Sequence, residues 1–257
     1  MVPCVFPYRD FLLGHYQQAY LKDLDDSFPK ANESAAKRIA QIVSRLPAGS
    51  VYLAVGAGRG KFERDHLQKD RPFLSVLVDF AELRPLPTSS RTVHIRGDAN
   101  LLPVTGASVD IVSCLFAKDL FGEHGHSTME LFRVLKPGGF AVIYLHHRSS
   151  MQQKLKRNDD ILSEYLAARK KLLSCKQSPN RDDKLEMIDA SIIKCGQYSD
   201  FFLYLLSTRG QLFSNLGEIR EHFSSHGFEV IDVFEHKPVR DKSPQDCWWE
   251  VVVRKPD

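Results

Sequence analysis

The 257-residue sequence lacks features that would place it in several other protein classes. No apolar segment approaches the ~20 residues that a membrane-spanning helix needs. Pro3 interrupts the apolar residues at the N-terminus, and Arg9 and Asp10 follow them, so no secretory signal is expected. Low-complexity tracts and internal repeats are also missing. With 43% hydrophobic residues and a net charge of only +3, the chain is predicted to bury a sizeable core, and its total charge indicates no polyanionic partner.

Cysteine is scarce, and its pattern does not suggest pairing. The five cysteines are odd in number, widely spaced and without a Cys-x-x-Cys pair: Cys4, Cys114, Cys175, Cys195 and Cys247. This spacing argues against a disulfide framework and against a structural zinc site, so no bound metal is expected. Free thiols are typical of a reducing compartment. The sequence therefore predicts a cytoplasmic protein.

An apolar run over residues 51–60 ends in three glycines, Gly56, Gly58 and Gly60. This pattern predicts a parallel strand that turns tightly into a nucleotide-binding loop, followed by a helix whose first N–H groups are free to meet a ligand. A dinucleotide fingerprint would need its third glycine at position 61, where this chain has Lys61. The pattern is therefore G-x-G-x-G, and it does not match the dinucleotide-binding fingerprint.

Further strands alternate with helices along the next part of the chain. Strands are predicted over residues 73–78, 92–95, 109–115 and 140–145, and the first of these ends at Asp79. Ser127 and Glu130 have the spacing of a capping box that opens a helix through residue 135, and residues 136–139 are predicted to be the turn that ends it. This alternation predicts an α/β fold with a doubly wound, mostly parallel sheet.

At this point the chain resembles the class I S-adenosylmethionine-dependent methyltransferases, in particular their type 11 group. The residues that carry the resemblance are Gly56-Ala57-Gly58-Arg59-Gly60, Asp79, Gly97-Asp98-Ala99, Leu102-Pro103, Val109-Asp110-Ile111-Val112 and the run from Leu131 to Gly139. The resemblance implies a seven-stranded Rossmann-like sheet whose last strand, residues 248–253, is antiparallel. It also implies S-adenosyl-L-methionine as cofactor and S-adenosyl-L-homocysteine as product.

The same resemblance implies the cofactor contacts. Gly56, Ala57, Gly58 and Gly60 would lie against the methionine part, Asp79 would hold the ribose, Asp98 would reach the adenine amino group, and Ala99 would offer a backbone N–H. Phe80 and Cys114 are also predicted to contact the cofactor. One departure concerns Ala54, because most members carry Asp or Glu there to help hold the ammonium end of the cofactor. We expect a group from elsewhere to compensate.

The core is predicted to comprise residues 34–148 and 214–257. Two segments outside this core are predicted to carry substrate specificity. The first is an N-terminal cap over residues 1–33, where Tyr8 and Tyr16 are candidate substrate contacts. The second is an insertion over residues 149–213, predicted to be a helical lid. Residues 151–185 hold nine Lys or Arg against five Asp or Glu, which indicates either a solvated helix face or a phosphate-contacting patch.

Tyr144, His146 and His147 follow one another at the carboxyl end of the fifth predicted strand, where open α/β sheets bind ligands. His146 is the candidate general base, while Tyr144 and His147 are candidate substrate contacts. Strand alternation puts the two histidines on opposite sides, so at most one of them faces the site.

Three functions remain open from the sequence. The leading one is methyl transfer to an oxygen or nitrogen atom of a small molecule by in-line displacement. The second is methylation of tRNA or another RNA, and the third is cofactor binding without methyl transfer, which only Ala54 suggests. The sequence leaves the oligomeric state open.

Overall fold

The structure is a computed structural model that describes residues 29–67, 73–81, 85–86, 90–121, 125–174, 180–207, 212–237 and 247–257. The helices are α1 (Pro29–Val43), α2 (His126–Val134), α3 (Arg148–Ser174), α4 (Arg181–Ser207) and α5 (Leu216–Ser225), with a π-helical turn at Glu63–Leu67 and a 3₁₀ turn at Lys118–Leu120. The strands are β1 (Val51–Val55), β2 (Leu74–Asp79), β3 (Thr92–Arg96), β4 (Val109–Leu115), β5 (Leu135–His146), β6 (Glu229–His236) and β7 (Trp248–Arg254).

The described strands form one seven-stranded sheet in the order β3-β2-β1-β4-β5-β7-β6. The strands from β1 to β5 pair in parallel, and the last strands run antiparallel. The order reverses between β1 and β4, because the chain returns to the centre of the sheet after β3. The predicted doubly wound sheet with an antiparallel final strand is therefore confirmed. A switch point of this kind is where open α/β sheets bind ligands.

The predicted capping box at Ser127 and Glu130 is wrong. Helix α2 begins at His126, two residues before the start that an N-cap at Ser127 would give, and its N-cap is Gly125, which has a left-handed φ of 84° and makes no side-chain cap. Glu130 accepts instead the Leu102 N–H at 2.7 Å and pairs with Arg133 at 2.6 Å. A carboxylate that holds a neighbouring loop in this way has no oxygen directed at its own helix terminus.

A side-chain cap is present at the start of α5. Asn215 accepts the Glu218 N–H at 3.0 Å, and its amide donates to Glu218 Oε1 at 2.8 Å. A second boundary also differs from expectation, because β5 begins at Leu135, the predicted last residue of the helix, and runs through residues 136–139, which were predicted to be a turn. Gly138 donates to the Lys255 carbonyl at 2.9 Å, and Lys255 donates to Gly139 at 2.9 Å, so this segment is paired as a strand.

The described residues divide into two compact units. The first comprises the described residues up to Leu145, together with 215–235 and 249–257; the second comprises those within 146–214 and 236–248. In the second unit α3 and α4 form an antiparallel hairpin, in which Asn158 donates to the Cys195 carbonyl at 2.7 Å and Arg169 pairs with Asp189. Among the described residues, no helix is both long and apolar enough to cross a membrane.

Candidate cofactor-binding site

The glycine loop follows β1 directly at the carboxyl edge of the sheet. Gly56, Gly58 and Gly60 have φ values of 73°, 56° and 77°, which lie in the left-handed region that residues with a Cβ seldom adopt. The N–H groups of Gly56 and Ala57 both donate to the Val78 carbonyl, at 2.8 and 3.2 Å. These bonds fasten the loop to the end of the neighbouring strand β2.

Packing within the protein explains two of the three glycines. A Cβ on Gly56 would lie 2.2 Å from the Ala117 Cβ, in the turn after β4. A Cβ on Gly60 would lie 2.8 Å from the His94 ring and 2.9 Å from Leu77. The sequence interpretation attributed these glycines to close approach of a ligand. At positions 56 and 60 close approach of neighbouring strands and turns is sufficient reason.

Asp79, at the end of β2, faces this loop. Its Oδ2 accepts the Gly58 N–H at 2.7 Å, and its Oδ1 accepts the Ala81 N–H at 2.9 Å. Burial raises the pKa of Asp79, and the backbone N–H bonds only partly oppose this effect. Burial thus makes the charged form of this carboxylate costly at the switch point, and shifted pKa values of this kind are common at functional sites.

The loop after β3 presents the other predicted adenosyl contacts. Asp98 is exposed and its carboxylate accepts the Asn100 N–H at 2.9 Å, whereas Ala99 is buried. Arg133 of α2 holds the end of this loop by donating to the Leu102 and Val104 carbonyls at 3.0 and 2.9 Å. Phe80, beside Asp79, is half-buried. These contacts fix the loop at the same edge of the sheet as the glycine loop.

The turn after β4 carries features that sequence reasoning missed. Phe116 has a φ of 55°, a strained conformation for an aromatic residue. Lys118 is 3% exposed, and burial lowers its pKa, while Cys114 and Asp119 oppose this shift. No motif in the sequence marks either residue. Their only sequence signal is position, at the carboxyl end of a strand next to the switch point.

Cys114 was predicted to contact the cofactor, but the structure buries it completely within β4. Burial raises the pKa of its thiol to about 12, and hydrogen bonds from the backbone N–H groups of Ala117 and Lys118 partly offset this. The residue therefore packs beneath the turn and is an inert thiol. The side chain thus has no exposed surface, and its contact with the cofactor stays a prediction.

A buried polar cluster lies beneath the glycine loop. The Tyr52 hydroxyl is 3.0 Å from Glu63 Oε1 and 2.6 Å from Ser113 Oγ. Burial raises the pKa of Glu63 to about 7, whereas the hydrogen bonds from its own backbone N–H and from Tyr52 lower it. No sequence pattern marks this cluster, since its three members come from β1, β4 and the turn after the loop.

The described residues among the predicted substrate and catalytic groups lie at the end of β5 and immediately before α3. Tyr144 is fully buried and donates to Glu250 at 2.8 Å, so its assignment as a substrate contact is not supported. His147 Nδ1 accepts the Ser149 N–H at 3.2 Å at the start of α3, as a capping group would. His146 is the buried last residue of β5. Tyr8 and Tyr16 lie outside the described residues.

Comparison with known proteins agrees with this geometry. Residues 53–143 match the family model described as a methyltransferase domain. Over 164 residues the chain is 27% identical to the tRNA (carboxymethyluridine(34)-5-O)-methyltransferase ALKBH8 of Mus musculus, a match that covers 61% of this chain and 22% of the mouse protein. The chain thus spans about a fifth of the length of that curated relative.

Solved structures share the fold at low sequence identity. Phosphoethanolamine N-methyltransferase 2 of Haemonchus contortus, bound to phosphomonomethylethanolamine and S-adenosylhomocysteine, has a TM-score of 0.58 and 15% identity over 98% of this chain and 61% of its own. The 1,6-didemethyltoxoflavin-N1-methyltransferase of Burkholderia thailandensis has a TM-score of 0.55 and 16% identity over 97% of this chain and 87% of its own. Residues 53–143 therefore match a methyltransferase domain, and the chain shares its fold with these S-adenosylmethionine-dependent methyltransferases.

Proposed function

We propose that this chain transfers a methyl group from S-adenosyl-L-methionine to an oxygen or nitrogen atom of a small-molecule acceptor. The observation that carries the proposal is the 2.7 Å contact between the Gly58 N–H and the Asp79 carboxylate. It joins a tight glycine turn and an acidic strand end at the switch point of the sheet. That combination suits a ligand with a polar tail and a ribose.

The residues at this edge fit such a cofactor. Each carboxylate oxygen has two acceptor sites, so Asp79 can bind ribose hydroxyls while it keeps its backbone bonds. The exposed Asp98 carboxylate is suited to an amino group of the adenine, and the backbone at Ala99 to a ring nitrogen. The unpartnered Oε2 of Glu63, buried beside the loop, is a further acceptor awaiting a donor.

The chemistry asks little of the protein beyond positioning and exclusion of water. S-adenosyl-L-methionine supplies, when bound, a methyl group already activated on a sulfonium. The acceptor lone pair forms the new bond to carbon as the carbon–sulfur bond breaks and its electrons return to sulfur. The acceptor proton then leaves to solvent or to a base, and His146, at the end of β5, is our candidate for that base.

Local charge favours a small acceptor over a polyanion. Helix α3 carries seven Lys or Arg against three Asp or Glu, but α4 carries three against five. On α3 the exposed Lys156 lies one turn from the exposed Asp160 and two turns from Glu164. Arg169 is paired with Asp189. The hairpin thus has no continuous basic stripe among its described residues.

RNA is the second candidate acceptor, because the curated relative at 27% identity is a tRNA methyltransferase. Methylation of RNA would require the cationic residues of α3 to contact phosphates, and binding would then weaken steeply with added salt. Binding of total tRNA that is insensitive to salt, or absent, would count against this candidate.

The test combines binding with turnover. Calorimetry with S-adenosylmethionine and S-adenosylhomocysteine measures cofactor binding, and methyl-labelled cofactor is then incubated with a metabolite extract or with total tRNA. We expect binding of both cofactor forms and label in the small-molecule fraction. Label in tRNA would favour the second candidate. Cofactor binding without label in either fraction would indicate a cofactor-binding protein. Absence of binding to both cofactor forms would rule out methyl transfer to a small molecule and to RNA.

A further inference from the structure

A buried carboxylate oxygen without a partner lies next to the glycine loop. Glu63 is 4% exposed and comes three residues after Gly60. Its Oε1 lies 3.0 Å from the Tyr52 hydroxyl, whereas its Oε2 has no hydrogen-bond partner among the described residues. Buried polar oxygens are rarely left in this state, because the lost hydration is not compensated. The orphaned oxygen therefore indicates a missing donor.

The carboxylate lies against β1 and β4, close to position 54. Tyr52 and Ala54 share one face of β1, because side chains alternate along a strand. The Tyr52 hydroxyl is 2.6 Å from Ser113 Oγ, and Ser113 is the register partner of Ala54. Two short hydrogen bonds thus connect Glu63 to the residue directly beside Ala54. The alanine itself contributes no charge or hydrogen bond from its side chain.

The missing donor can be identified by its chemistry. The methionine part of the cofactor carries an ammonium group, which loses water on binding and needs an acceptor, best an anionic one. Both oxygens of Asp79 already accept backbone N–H groups, from Gly58 and Ala81. Glu63 instead keeps one oxygen free of protein donors beside the loop that would hold this part of the cofactor.

We propose that Glu63 supplies the negative charge that binds the ammonium group of the cofactor, in place of the residue at position 54. The inference rests on the proposed function, because it requires that the chain binds S-adenosylmethionine.

The ionisation of Glu63 gives the proposal a second signature. Burial raises the pKa of Glu63 to about 7, and Tyr52 is the titratable group that contacts it among the described residues. A bound ammonium group favours the carboxylate over the acid. Cofactor affinity should therefore rise as the pH passes through the neutral range and Glu63 ionises.

The experiment compares two ligands by calorimetry. S-adenosylhomocysteine carries the ammonium group, whereas 5′-methylthioadenosine keeps the adenosine and the sulfur but lacks the amino-acid part. Glu63→Gln preserves the size of the side chain and an acceptor for Tyr52. It should weaken S-adenosylhomocysteine binding by about 10- to 100-fold, the effect of losing a charge-assisted hydrogen bond. Binding of 5′-methylthioadenosine should be unchanged.

Two further variants and a pH series keep the test specific. Asp65→Asn removes an exposed charge from the same turn and should alter neither affinity. Ala54→Asp introduced into the Glu63→Gln variant should restore the preference for S-adenosylhomocysteine, which a merely structural role of Glu63 would not allow. In the wild type this affinity should rise between about pH 6 and about pH 8, and in Glu63→Gln it should stay level.

Other results of the same experiments would contradict the inference. Equal weakening of both ligands by Glu63→Gln, or no weakening of either, would overturn the inference. If Asp119→Asn weakens the binding of S-adenosylhomocysteine but not of 5′-methylthioadenosine, and Glu63→Gln weakens neither, the ammonium group is bound by the buried carboxylate of Asp119 in the 3₁₀ turn. If the wild type binds neither ligand, the proposed function itself fails. If the wild type binds both and Glu63→Gln is unchanged, only this inference fails.

Discussion

The turn after β1 and the turn after β4 pack against each other at Gly56 and Ala117, yet they reach their conformations by different means. The first uses glycine at each of its left-handed positions, so its shape costs little strain. The second forces Phe116 into the same region and buries Lys118 directly afterwards. The glycine turn is thus nearly free of backbone strain, whereas the turn after β4 stores strain at Phe116, at the same carboxyl edge of the sheet.

The largest expected effect tests how closely the two turns pack. Gly56→Ala places a Cβ 2.2 Å from the Ala117 Cβ, and it also forces an alanine to adopt a positive φ. We expect the free energy of unfolding to fall by about 3 kcal/mol or more. Gly49→Ala is the matched control, because its φ is 86° but nothing lies within 4 Å of the new Cβ. It should lose only about 1 kcal/mol. Urea denaturation of both variants measures the difference, and equal losses would show that the contact is not tight.

The next prediction separates stability from binding in the first turn. Asp79→Asn removes a buried charge, which is stabilising because burial has raised the pKa of this carboxylate, but it also removes one hydrogen-bond acceptor, which is destabilising. The two effects should nearly cancel, so that the free energy of unfolding at pH 7 changes by less than about 1 kcal/mol. Affinity for S-adenosylhomocysteine should nevertheless fall about 10- to 100-fold, because the ribose loses a charged acceptor. Calorimetry and thermal melting measure the two effects. Unchanged affinity would show that the ribose lies elsewhere.

The third prediction concerns the buried charge of the second turn. Because burial lowers the pKa of Lys118, the unfolded chain binds its proton more tightly than the folded protein does. Stability should therefore rise as the pH approaches the ordinary lysine pKa of about 10.4. Lys118→Met, which removes the desolvated charge, should be more stable than the wild type by about 1–3 kcal/mol at pH 7, and this gap should narrow with rising pH.

The control for this prediction is Lys170→Met, because Lys170 is exposed on α3. Its effect should stay below about 0.5 kcal/mol at every pH. Unfolding curves at several pH values provide the comparison. A gap for Lys118→Met that widens as the pH rises would contradict the direction of the pKa shift.

The two turns also differ in how far the sequence predicts them. The first was predictable because left-handed backbone selects glycine, and three glycines after an apolar strand leave a pattern in one short segment. The strands of the parallel part of the sheet were predictable for a similar reason, since each strand is a local run of apolar residues. The second turn left no pattern. The strain at Phe116 and the desolvation of Lys118 arise from contacts between β4, β5 and the glycine loop, which are distant along the chain.

The burial of two predicted contact residues has the same origin. Tyr144 and Cys114 stand at or near strand ends in the sequence, but Glu250 binds the tyrosine hydroxyl and the turn after β4 covers the thiol. Glu63 went unnoticed because its partners, Tyr52 and Ser113, come from two different strands. A residue type and its place along a strand thus predict which edge it is near, whereas its partners depend on the fold.

The smallest effect tests whether the second turn really stores strain. Phe116→Gly and Phe116→Ala both remove the ring that packs edge-on against Tyr144, with centroids 5.8 Å apart. Only glycine relieves the φ of 55°. The glycine variant should therefore be more stable than the alanine variant by about 1 kcal/mol, the reverse of their order within a regular helix or strand. Denaturant melts of the two variants measure this difference directly, because the lost ring contacts cancel. If the two variants are equally stable, the turn relaxes when the side chain of Phe116 is truncated. The contrast between the two turns would then lie in side-chain packing and not in backbone strain.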